Sequence, residues 1–131
     1  MIPAELDRNI SQVDRRIRAA ERAAGRPEGS VALLAVSKTK PSELIRQAHR
    51  LGLSTFGENY AQELAEKAQA LADLDLSWHF IGPIQSNKTA LIAECSDWVH
   101  SIDRLKVARR LSEQRPADRG PLNILIQVKL S

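Results

Sequence analysis

The sequence has 131 residues, of which 43% are hydrophobic, 27% charged and only 4% aromatic. That composition excludes a disordered tail, a collagen-like fibre and a low-complexity linker, and the length suits one domain with a core of Leu, Ile, Val and Ala. With 19 basic and 16 acidic residues the net charge is +3, and acidic residues flank both dense clusters, Arg15-Arg16-Ile17-Arg18 and Arg109-Arg110. Solvated helix faces are expected there, not a nucleic-acid tract.

The chain opens with a helical pattern. Leu6, Ile10, Val13, Ile17 and Ala20 recur at steps of four and three, and Gly25 before Arg26-Pro27 supplies the stop. Val31 to Val36 is a continuous apolar run, which predicts a strand buried on both faces. Pro41-Ser42-Glu43 opens a helix through Leu44, Ile45, Ala48 and Leu51, closed by Gly52. Leu53 to Gly57 reads as a second strand, and a helix is expected from about Asn59 to Ala72. Trp78 to Gly82 is a third strand, followed by a helix through Leu91, Ile92 and Cys95. Asp97 to Ser101 is a fourth strand, and Asp103 is placed to cap a helix through Leu105, Ala108 and Leu111. Arg115 to Pro121 reads as a loop, and Leu122 to Val128 as a fifth strand.

Regular alternation of strand and helix implies a parallel sheet with helical crossovers. An open doubly wound sheet and a (β/α)8 barrel both fit. A whole barrel takes about 200 residues or more, so length alone favours the open sheet. In that sheet the apolar fifth strand would need a central position, or one side would stay bare. In either architecture chemistry gathers at the C-terminal ends of the strands.

Lys38 directly follows the first apolar run, so its base is anchored on a strand. Desolvation and a neighbouring cation such as Lys40 would free its amine for Schiff-base chemistry. A solvated lysine closing a strand is the plainer account of the same feature. Asn59, beside Glu58, is placed either at a ligand or as a helix cap. His79 lies between Trp78 and Phe80, where a packed core histidine is the plain reading. His79 and His100 could converge from adjacent strands, but two histidines without a carboxylate make a poor metal site. Cys95 shares an apolar helix face with Leu91 and Ile92 and reads as core. No P-loop, GxGxxG, HExxH or GxSxG is present. The lone cysteine, the polar and acidic start Met1 to Asp7 and the lack of a long apolar run suggest a cytoplasmic protein with no membrane partner.

Three segments carry a resemblance: LLAVSKTKP (33–41), FGENYAQE (56–63) and WHFIGPIQSNK (78–88). Together, and with DWVHSIDRL (97–105) and LNILIQV (122–128) continuing in order, they resemble the pyridoxal phosphate (PLP) homeostasis proteins, relatives of the N-terminal barrel of alanine racemase. The resemblance covers essentially the whole chain. It implies a (β/α)8 TIM-barrel type of α/β fold with an extra N-terminal helix, here about five βα units in a single domain, residues 1–131. It implies PLP held as a Schiff base by Lys38, with Asn59 and His79 as neighbours of the cofactor. It implies a protein that stores or delivers PLP, balancing vitamin B6 and amino and keto acid pools, with PLP-dependent apoenzymes as candidate recipients. Non-enzymatic behaviour is expected, because such proteins lack the second domain that gives alanine racemase its opposing base.

Two departures stand out. Lys129 occupies a position where the family usually has Asn. The sixth to eighth strands, whose loops would bind the PLP phosphate, have no counterpart here. Weak PLP binding is therefore expected, with open apolar sheet edges and scope for self-association, although a full-length form should be monomeric. A racemase-like enzyme dependent on Lys38 and a module acting only through protein or RNA contacts are the competing functions.

Overall fold

The computed structural model describes residues 3–130. The elements are α1 (Ala4–Ala23), β1 (Ala35–Val36), α2 (Ser42–Arg50), β2 (Thr55–Glu58), α3 (Ala61–Ala70), β3 (Ser77–Phe80), α4 (Thr89–Cys95), β4 (Trp98–Ile102), α5 (Leu105–Gln114) and β5 (Asn123–Ile126). Short 3-10 turns at Ser86–Lys88 and Ala117–Arg119 precede α4 and β5. The five strands form one all-parallel sheet in sequential order, β1-β2-β3-β4-β5. Sequential parallel order with helical crossovers is the arrangement of a barrel wall, here part of a (β/α)8-type fold. A doubly wound sheet would reverse its strand order instead.

Glycines end the first two helices as the sequence implies. Gly25 has φ 70°, Arg26 N–H reaches Glu21 O at 2.9 Å, and Gly25 N–H reaches Arg22 O at 3.1 Å. Gly52, at φ 101°, does the same for α2, with Leu53 N–H on Ala48 O at 3.1 Å. Both are left-handed caps that satisfy the last free carbonyls.

The core lies between the sheet and α2 to α5. Phe56, Trp78, Phe80 and Val99 leave the sheet to meet Ile45, Leu64, Ile92, Val107 and Leu111, all buried. Cys95 packs against this cluster, partly buried. On the other side, one register row runs Val36, Gly57, His79, Trp98, Asn123. No helix in the described residues is long and apolar enough to cross a membrane.

The first strand is shorter than its apolar run. Only Ala35 and Val36 pair with β2, and Val31 and Val36 are exposed. Two causes combine. β1 is an edge with β2 as its one neighbour. Helix α1 also takes the backbone of Val31: its N–H donates to Glu21 Oε2 at 2.8 Å, and its carbonyl accepts from Arg18 Nη2 at 2.9 Å. At the other edge every residue of β5 is exposed, so the fifth strand has the bare side feared from its sequence and no central place. Asp103 does not cap α5. The N-cap falls on Arg104 without a side-chain bond, because the helix begins one residue later than the acid's reach requires.

Glu21 links α1 to the sheet and predicts an acid response. Burial opposes its ionisation, but N–H bonds from Val31 and Gly29 and the charge of Arg18 hold the carboxyl below its ordinary value. A depressed carboxylate stabilises the fold above its unfolded pKa and loses that contribution as pH falls through the folded one. Hydrogen exchange should therefore show the Val31 amide losing protection as pH drops below about 4.5. Glu21→Gln should weaken that protection at neutral pH and remove its pH dependence. Val31 protection that stays constant into acid would show that Glu21 is not the anchor.

Candidate functional site at the strand ends

The first strand leads into a four-residue turn, Ser37 to Lys40, closed by Lys40 N–H on Ser37 O at 3.1 Å. Lys38 is exposed at its second position, and among the described residues its amine has no hydrogen bond or ion pair. Thr39, at the third position, has φ 64°. Type II turns need a positive φ there and normally use Gly or Asn, since a β-branched residue is strained in that region.

A buried polar cluster lies directly under this turn. Glu58 and Lys67 are fully or nearly buried, at 0% and 5% exposure. Lys67 Nζ donates to Glu58 Oε2 at 2.9 Å, Glu58 Oε1 at 3.0 Å, Glu63 Oε1 at 2.7 Å and Ser37 O at 2.8 Å. The Ser37 hydroxyl donates to Glu58 Oε2, and Thr39 N–H donates to Glu63 Oε1 at 2.6 Å. Burial pushes the Glu58 carboxyl up, against the pull of Ser37 and Lys67. The hydrogen bond from Lys67 holds Glu63 down. The residues on both sides of Lys38 are thus tied to β2 and α3.

Asn59 follows β2. It does not cap α3, whose N-cap is Tyr60. Its Oδ1 is buried without a hydrogen-bond partner. The Asn59 backbone fills the space where a side chain on Gly82 would begin, its carbonyl oxygen 2.3 Å from an ideal Cβ there. Asn59 also lines a cavity of about 340 Å³ with Tyr60, Pro83, Gln85 and Lys88.

His79 lies one row deeper in the sheet than positions 38 and 59. Its Nδ1 is 2.8 Å from His100 Nε2, and its Nε2 is 3.3 Å from Ser77 Oγ. Its ring stacks on Trp98, with centroids 5.8 Å apart and planes 11° from parallel. Burial lowers the pKa of both histidines, and at His79 the charge of His100 adds to it. A neutral pair results, one N–H shared into the other's lone pair. The two histidines converge as their spacing suggests. Among the described residues no group of three His, Cys, Asp or Glu could hold a metal ion.

Lys38 and Asn59 therefore sit just past the ends of β1 and β2, and His79 within the adjacent β3. Lys38 and Asn59 share the C-terminal rim, while His79 is engaged with His100 below it.

A family model for the alanine racemase N-terminal domain matches residues 8–131. The chain belongs to this family. Within it, the pyridoxal phosphate homeostasis protein of Pseudomonas aeruginosa is 63% identical over 123 residues, covering 94% of this chain and 54% of that protein. The Escherichia coli K12 protein of the same name is 49% identical over 130 residues, covering 97% of this chain and 56% of its own length. The chain thus spans about half the length of the curated relatives it matches. The solved structure of PipY from Synechococcus elongatus PCC7942 with PLP bound is 41% identical, with TM-score 0.73 over 87% of this chain and 54% of that one. An unknown protein from Bifidobacterium adolescentis reaches TM-score 0.82 at 32% identity, over 95% of this chain and 56% of that one. These relatives are named for homeostasis and not for a reaction.

The residues that sequence reasoning missed in this family member are Thr39, Glu63 and Lys67. Glu63 and Lys67 are four apart on a helix, a spacing that ordinarily marks a solvated surface pair. The usable signal was the acid at Glu58, inside a strand segment otherwise apolar or small.

Proposed function

We propose that this chain is a PLP-binding unit that carries the cofactor on Lys38 and serves vitamin B6 and amino and keto acid homeostasis without catalysing a reaction of its own. The observation that carries the reading is the unpaired Lys38 amine at the C-terminal end of a strand, on the rim it shares with the unpartnered Asn59 Oδ1. PLP-bound PipY, at 41% identity, supports it. When bound, PLP supplies an electrophilic aldehyde and an anionic phosphate. The Lys38 amine is free to condense with that aldehyde, with loss of one water. Asn59 offers an acceptor to a donor on the ligand. His79 contributes indirectly: paired with His100 and stacked on Trp98, it makes a rigid floor. A stored cofactor needs no opposing base, and PLP-dependent apoenzymes are the proposed recipients.

The test is a borohydride trap. The chain is incubated with PLP, reduced and digested, and the pyridoxyl group is located by mass spectrometry. A single adduct on Lys38, absent from Lys38→Ala, is the expected result. Adducts spread over surface lysines would sink the proposal. These residues offer the aldehyde an attachment point but no assigned phosphate cradle. Pyridoxal should therefore label Lys38 within about threefold of the PLP rate, well short of the tenfold that about 1.4 kcal/mol of phosphate binding would bring.

A further inference from the structure

We infer that Glu63, backed by Lys67 and Glu58, is a positioning residue: it holds Thr39 in a left-handed conformation and so fixes the turn that carries the Lys38 amine. The inference rests on the PLP reading above and deepens it. The Thr39 conformation is the starting point. It is the one non-glycine residue with positive φ among the described residues. For a β-branched side chain that state persists only where its surroundings over-determine it.

The surroundings here do so from both sides of Lys38. Thr39 N–H is held by Glu63 Oε1 at 2.6 Å, and Ser37 O by Lys67 Nζ at 2.8 Å. Glu63 Oε1 is itself held by the same ammonium at 2.7 Å, so one buried cation sets both clamps. The Ser37 hydroxyl on Glu58 adds a third tie. Thr39 N–H on a carboxylate is a charge-assisted bond, the stronger class. Without it the residue would relax toward right-handed or extended backbone and swing Lys38 with it. The Lys38 amine between these ties stays unbonded, as an attachment residue must.

Four proteins test this: wild type, Glu63→Ala, Thr39→Gly and the double variant. Glycine adopts positive φ without strain, so it removes the need for the clamp. In Glu63→Ala the trapping rate at Lys38 should fall about tenfold, within the range that released strain of this class allows. Glu63→Gln, which keeps an oxygen acceptor, should fall less. Adding Thr39→Gly to Glu63→Ala should bring the rate back to within about threefold of wild type, a rescue that loss of general stability would not show. A readout independent of PLP is the intraresidue NOE between the amide and α protons at position 39, which is strongest where φ is positive and the two protons lie closest. It should report positive φ in wild type and lose it in Glu63→Ala. A wild-type Lys38 adduct with an unchanged rate in Glu63→Ala, or no rescue by Thr39→Gly, overturns the inference alone. A wild-type chain with no Lys38 adduct overturns the PLP reading and this inference with it.

Discussion

Replacing Lys67 by Met should cost the fold about 3–5 kcal/mol at neutral pH, and most of that cost should disappear as pH falls toward the ordinary carboxylate range. Lys67 is 5% exposed and its ammonium is the counter-charge to a Glu58 with no exposure at all. Removing it leaves a carboxyl in the core with the Ser37 hydroxyl as its chief donor. Burial already pushes Glu58 above its ordinary value near 4.5, and without the cation the push is larger. Below that ordinary value the acid is protonated in folded and unfolded chains alike, so little is lost. Above it the unfolded chain ionises while the buried group resists. Wild type and variant lose stability alike until the wild-type Glu58 ionises, and from there the cost of the substitution grows by about 1.4 kcal/mol per pH unit until the variant's folded carboxyl ionises too. Glu63 works in the same direction: its hydrogen bond from Lys67 holds it below 4.5, a stabilisation present only above that pH and lost with the lysine. Urea melts at pH 7 and at about pH 4.5 would show the difference, and Glu58→Gln added to Lys67→Met should recover part of the neutral-pH loss. A cost equal at both pH values would mean that the buried acid is not its source.

Elements in this chain were legible wherever local chemistry decided them. The caps at Gly25 and Gly52 and the strand-helix alternation followed from residue type and spacing, because a left-handed cap and a 3.6-residue period are local properties. The choice between barrel wall and doubly wound sheet was not local. Both use the same units, and only strand order separates them; the motif resemblance, not the periodicity, chose correctly. The Val31 to Val36 run shows the limit from the other side. Its apolar character promised burial on both faces, yet burial depends on neighbours, and the edge position together with the Glu21 and Arg18 bonds leaves a strand of two residues.

The candidate site divides the same way. Lys38 stood out because a lysine after six apolar residues breaks a pattern, but that feature alone favoured a solvated lysine, and the motif resemblance made it the Schiff-base candidate. Asn59 was readable only as a choice between cap and ligand, and the chain settled the first half by placing the cap at Tyr60. The Lys67 cluster showed one outward sign, the acid at Glu58, but its membership was not legible, since Ser37, Glu58, Glu63 and Lys67 come together from the first turn, β2 and α3. Residue types mark such a cluster only after the fold has assembled it.

Gly82→Ala should be the most damaging single-carbon change on the rim, and Gly57→Ala nearly harmless. Both glycines are buried in adjacent strands or just beyond them, so composition does not distinguish them. What a new Cβ meets does. At Gly82 it would lie 2.3 Å from the Asn59 carbonyl oxygen and 2.8 Å from Asn59 Cα, backbone atoms that cannot rotate away. The glycine is also held from the far side, where the buried Ser101 hydroxyl donates to its carbonyl at 2.5 Å. Room can come only from parting the ends of β2 and β3, where Ile81 N–H meets Glu58 O at 2.9 Å. The cost should reach or pass the upper end of the about 1–3 kcal/mol typical of overpacking. At Gly57 the nearest atom is Ile81 Cδ1 at 3.1 Å, the free end of a flexible side chain. A few tenths of an ångström of movement suffices there, and alanine also gains about 0.5–1 kcal/mol over glycine in a strand. The two substitutions should therefore differ by more than about 2 kcal/mol in denaturant unfolding. Gly82→Ala should also slow the Lys38 trap, since Asn59 is the residue it displaces, while Gly57→Ala should leave the trap near the wild-type rate. Equal stability losses at the two positions would mean that the β2–β3 rim is plastic, and that the packing of Asn59 against Gly82 does not set the shape of the site.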